Sequence, residues 1–142
     1  MLCGEKQIVL KQVQDWMKAY ETRDFDKFKA VLSPSEQHIS WGTGADEKYV
    51  GRSGFLEFLK RDFEQSEGAE LTLKSAYVSL HENSAWVAAE IEPRVKIRGD
   101  MLPLPTLRCT FVLTRQEQRW EIVHTHGSWP YPKQAEGDSF PA

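Results

Sequence analysis

The chain has little cysteine, no surplus of positive charge and no long apolar run, and each lack excludes a class of protein. Its two cysteines, Cys3 and Cys109, lie near opposite ends of 142 residues, which is not the pattern of a disulfide framework. Cys109 sits in an apolar stretch and reads as a small core residue. Lys and Arg number 18 against 21 Asp and Glu, a net charge of -3, whereas a nucleic-acid binder carries a basic stripe. No window approaches the ~18 consecutive apolar residues of a membrane span, and no basic-then-apolar leader opens the chain. A cytoplasmic protein without membrane or nucleic-acid partners is expected. A dinucleotide loop is missing too. Gly42-x-Gly44 joins two extended stretches, whereas that loop needs a strand-to-helix turn.

What is present is a packed core. Hydrophobic residues make up 40% and aromatics 11%, enough for one domain over residues 1–130, with a tail at 131–142 rich in Pro, Gly and charge that is expected to be flexible. Residues 5–22 place Val9, Val13, Trp16, Met17 and Tyr20 on one helical stripe. A short helix follows, capped by Asp24 and carrying Phe25, Phe28 and Leu32. Residues 38–41 and 47–50 form a small hairpin around the 42–46 turn. A third helix opens at 51–53 with Ser53 as its cap and buries Phe55, Phe58, Leu59 and Phe63. From Glu70 onward the pattern is β: 71–81, 85–92, a loop at 101–105, 106–115, and a last strand at 119–130. Pro93 marks a bulge or a strand end. Segregated helices and an antiparallel meander predict an α+β fold.

Strand parity divides the sheet. Val87, Ala89 and Ile91 share a face with Cys109, Phe111, Leu113 and Val123, an apolar set suited to a helical cover. The opposite face gathers Trp86, Glu90 and Glu92 with Arg108, Thr110, Trp120, Ile122, His124 and His126. Half polar and half aromatic, it suits a protein–protein interface, so a homodimer through these residues is expected.

Three stretches carry a resemblance to a known family. They are Gly42-Thr43-Gly44-Ala45-Asp46-Glu47 leading to Gly51-Arg52; Arg61-Asp62-Phe63-Glu64-Gln65 with Ala85-Trp86-Val87-Ala88-Ala89; and W-x-I-V-H-x-H-x-S at Trp120–Ser128. The chain resembles a SnoaL-like domain of the nuclear transport factor 2-like superfamily, and is similar to the association domain of calcium/calmodulin-dependent protein kinase II. The resemblance implies a cone in which three N-terminal helices pack on a curved antiparallel sheet, a cavity at the wide end, and homodimers through the outer sheet face. It does not carry over a reaction. The ketosteroid isomerase relatives place a carboxylate on the first strand, which here reads His38-Ile39-Ser40-Trp41. Trp16 stands where they have a tyrosine. Where the kinase domain directs arginines into its pocket, this chain has Ile91, Phe111 and Gly127.

The expected site is an apolar cavity lined by Trp16, Tyr20, Trp41, Phe58, Phe111 and Trp129. It would bind a small, mostly apolar molecule without a cofactor. His38 at its mouth and Asp62 beside Phe58 are the candidate bases for proton transfer. Duller roles stand beside each. His38 can be a partly exposed strand residue, and Asp62 can pair with Arg61 or Arg108. Trp16 and Tyr20 can be core, and Arg108 can bridge Glu90 or Glu92. His124 and His126 can form an interface pair or, with Glu90, hold a metal. The alternative function is a non-catalytic association module with a vestigial pocket.

Overall fold

The first helix, α1 (Gly4–Thr22), buries Val9, Val13, Trp16 and Met17 as its 3, 4 spacing dictates, together with Ala19, while Tyr20 is only partly buried against the core. The computed structural model describes residues 4–141, so Cys3 lies outside the described residues. Arg23, in the left-handed region at φ 57, ends α1, with Asp24 N–H bonded back to Ala19 O as in a Schellman turn. Asp24 then caps α2 (Phe25–Val31), accepting from Lys27 N–H at 3.0 Å. After β1 (Ile39–Trp41) and β2 (Lys48–Val50) comes α3 (Gly51–Glu64). Its N-cap is Val50 without a side-chain bond, so Ser53 is not the cap. The third helix is thus mid-chain, and the three are not all N-terminal.

The strands β3 (Gly68–His81), β4 (Ser84–Ile97), β5 (Asp100–Pro103), β6 (Leu107–Gln116) and β7 (Arg119–Ser128) complete the fold. The sheet order is β2-β1-β7-β6-β4-β3, with β5 on β4. β1 lies parallel to β7, so the sheet is mixed rather than wholly antiparallel. β5 occupies what the sequence suggests is loop, because β4 runs past the end of β6 and pairs Arg94–Ile97 with Asp100–Pro103. Pro93 neither breaks nor bulges β4. It stands where β4 passes from β6 to β5, a step in the ladder where the missing N–H is tolerated.

The helices cover the face predicted for them. Val87, Ala89, Ile91, Cys109, Phe111 and Leu113 are all buried in one core with α1, α2 and α3. The last strand departs from simple alternation. Leu113 pairs with Ile122 but Val112 with His124, so Val123 is an extra residue and the strand changes face there. Before this bulge, Trp120 and Ile122 point into the core; after it, Thr125 and Gly127 do, and His124 and His126 face outward. Ile122 is therefore not an outer-face residue, and neither is Trp120. Trp120 is 3% exposed, and its indole N–H donates to Glu5 Oε2 at 2.7 Å.

Candidate functional site

The cavity lies between the inner sheet face and the helices α1 and α3, and has a volume of about 330 Å3, within the range of small-molecule sites. Five of the six expected lining residues border it: Trp16, Tyr20, Trp41, Phe58 and Trp129. Phe111 does not. It sits one layer deeper, fully buried, with its ring 5.2 Å from that of Trp16. Trp41 reaches only the rim, because it shares the outward parity of His126; their rings are 5.7 Å apart, and Lys48 Nζ lies 5.2 Å from its face.

Asp62 is on the cavity wall. Helical spacing puts it one turn beyond Phe58, on the edge of the buried stripe of α3. Its partner is neither Arg61 nor Arg108. Tyr20, one turn beyond Trp16 on α1, donates its hydroxyl to Asp62 Oδ2 at 2.6 Å. Burial pushes the Asp62 carboxyl above its ordinary 3.8; the Tyr20 hydrogen bond and Arg61 work against this, and the negative Glu47 adds to it. Burial likewise raises the Tyr20 phenol, with the Asp62 charge second. The result is a carboxyl whose proton is held more tightly than in water, which moves it toward the range useful for a general base or acid.

His38 is not at the mouth. It is fully buried and lies behind the cavity wall. Thr125 Oγ1 donates to Ser40 Oγ at 2.9 Å, and Ser40 Oγ is 3.4 Å from His38 Nε2. Ser40 and Thr125 do border the cavity, so this row leads from the wall to an imidazole in the core. Among the described residues His38 Nδ1 has no partner, and burial lowers the affinity of the ring for a second proton. A neutral, buried imidazole fits core packing against Phe55 at 6.1 Å.

Two further lining residues are not evident in the sequence. Glu47 borders the cavity, with Oε2 accepting from Gly44 N–H at 2.9 Å and Oε1 3.3 Å from Arg61. A Cβ at Gly42 would stand 2.2 Å from Glu47 Oε2, so the Gly42-x-Gly44 pattern leaves room for this carboxylate. That pattern was the available signal, although it reads only as a turn. Cys109 lines the floor, but burial pushes its thiol up to about 12, leaving little thiolate for attack.

On the outer sheet face, Trp86 is aligned with Val112 and His124, and Glu90 with Arg108 and Ser128. Glu90 accepts from Ser75 Oγ at 2.9 Å, and His124 Nδ1 donates to Ile39 O at 2.9 Å. Among the described residues no group of three or more His, Cys, Asp or Glu could hold a metal ion, and no helix is long and apolar enough to cross a membrane.

Solved structures share this architecture. One is a nuclear transport factor 2-like superfamily protein from Salmonella enterica, 19% identical, covering 95% of this chain and 96% of that one, TM-score 0.82. Another is a nuclear transport factor 2-like protein of unknown function from Pseudomonas putida, 15% identical over 99% and 96%, TM-score 0.79. A third, from Thiobacillus denitrificans, is described as a calcium/calmodulin-dependent protein kinase type II association domain, 18% identical over 84% and 93%, TM-score 0.71. At such identities the likeness establishes the fold alone. No curated protein matches the chain. The SnoaL-like domain family matches residues 9–132, and the chain belongs to that family.

Proposed function

We propose that the cavity binds a small, mostly apolar molecule and that Asp62 moves a proton on it without a cofactor. One observation carries this reading: an inward carboxyl, held by Tyr20 at 2.6 Å, opens into an apolar cavity of about 330 Å3. Burial keeps water from solvating the carboxylate, so its basicity is raised where a substrate C–H would lie. Tyr20 orients it and supplies a second hydroxyl near the reacting atoms. His38, buried and walled off, takes no part.

The experiment has two stages. A thermal-shift screen of small apolar ketones, alcohols and amines should find ligands that raise the melting temperature. A ketone that binds should then exchange its α-hydrogens with deuterated solvent, read by NMR, in the wild type but not in Asp62→Asn. No stabilising ligand, or equal exchange in the variant, would refute the assignment.

We also propose that the protein is a homodimer through the outer face of β4, β6 and β7. Trp86 on β4, 43% exposed, and Tyr77 on the neighbouring β3, 74% exposed, support it, since a second copy over this face would cover both rings. The other reading, a non-catalytic association module, is favoured by the likeness to the kinase association domain. It asks for a cavity filled by side chains, and the open cavity weighs against it.

A further inference from the structure

We infer that the molecule taken up by the cavity carries a positively charged nitrogen: an apolar primary or secondary amine in its ammonium form. The inference rests on the ligand-binding reading above and narrows its substrate class. Among the described residues lining the cavity, the charged ones are Glu47 and Asp62, both acidic. Basic groups nearby are engaged elsewhere. Arg61 points to the rim, 2.7 Å from Asp46 and 3.3 Å from Glu47. Arg23 is bonded to Phe63 O and Ser66 Oγ. Arg61 thus offsets Glu47 at the rim, whereas Asp62 has no ion-pair partner among the described residues, so the field beside Asp62 is negative and a carboxylate or phosphate there would meet like charge.

The rest of the wall suits an ammonium group. Aromatic faces attract cations through their quadrupole, most strongly where water is excluded. Tyr20, Tyr49, Phe55, Phe58 and Trp129 all border the cavity, and Tyr49 stacks on Phe58 with ring centres 4.5 Å apart. Two rim rings already hold a cation of the protein, Arg61 5.4 Å from Phe58 and Lys48 5.2 Å from Trp41. A charge buried alone is costly, so the cation needs an ionic partner. Asp62 supplies it. Oδ2 takes the Tyr20 hydroxyl, whereas Oδ1 accepts no hydrogen bond among the described residues and is open to an N–H donor. The apolar part of the ligand would lie against Leu71, Ile91 and Leu107.

Asp62 also couples binding to a proton. Burial raises the affinity of its carboxyl for a proton, and an adjacent ammonium would favour the ionised form, so binding releases a proton to solvent.

Three probes of nearly equal shape separate the possibilities: cyclohexylmethylammonium, cyclohexylmethanol and cyclohexanecarboxylate, titrated calorimetrically into the full chain. The expected order is ammonium over alcohol by about tenfold or more, and alcohol over carboxylate. Repeating the ammonium titration in two buffers of different ionisation enthalpy, from acid to neutral pH, should reveal a released proton that fades as pH rises and is absent in Asp62→Asn. That variant should reduce ammonium affinity to the level of the alcohol. Should Asp62→Asn fail to fold, the wild-type order and proton release still decide. Alcohol or carboxylate binding as tightly as ammonium would overturn the amine assignment and leave the cavity reading standing. Failure of all three to bind would overturn both.

Discussion

The hydroxyl of Tyr20 and the carboxyl of Asp62 meet at 2.6 Å across the gap between α1 and α3. They lie 42 residues apart in the chain. The contact is the one direct side-chain hydrogen bond between the two helices among the described residues that also borders the cavity, so it links stability to the site.

That link has a sign. The folded-state affinity of Asp62 for its proton is raised above the ordinary 3.8, so between the two values the folded chain binds more protons than the unfolded one. Stability contributed by Asp62 is then fully present below the ordinary carboxylate range and falls as pH rises through the folded value. Asp62→Asn removes the slope. Denaturation midpoints measured from acid to neutral pH should show the variant gaining on the wild type as pH rises. A constant difference would place the carboxyl in water.

His38 should behave in the opposite sense. Burial lowers its proton affinity below the ordinary 6.5, so the unfolded chain takes up a proton first, and stability falls as pH drops through and below that range. His38→Gln should flatten this limb in melts compared between about pH 5 and 8. An unchanged acid limb would mean that other groups carry it.

Trp16 touches four rings, those of Tyr20, Phe28, Phe55 and Phe111, at centre distances of 5.2 to 6.4 Å. Trp16→Ala should cost about 3–5 kcal/mol and enlarge the cavity toward Phe111. Chemical denaturation measures the loss. A melt indistinguishable from wild type would contradict the packing described.

The outer face should hold a second copy. Sedimentation at tens of micromolar should give a dimer, and Trp86→Glu should shift it toward monomer, because a buried unpaired charge is costly. Trp120→Phe, altering a residue under α1, should leave the association unchanged. A wild-type monomer at these concentrations would remove the interface.

Periodicity alone determined the helical stripe of α1, the cap at Asp24, and the apolar set Val87, Ala89, Ile91, Cys109, Phe111 and Leu113 that lies beneath the helices. Each of these depends on neighbours a few residues away or on simple alternation, which the chain carries locally. Tertiary structure decided the rest. The extra residue at Val123 reversed the parity of Trp120, and bulges follow from pairing with another strand rather than from composition. The sequence offers both His38 and Asp62 as candidate bases; packing sends one behind the wall and gives the other Tyr20, a partner on a different helix. Glu47 became a cavity residue because Gly42 and Gly44 leave space for it. Those outcomes are set by contacts between residues far apart in the chain, which no local pattern records.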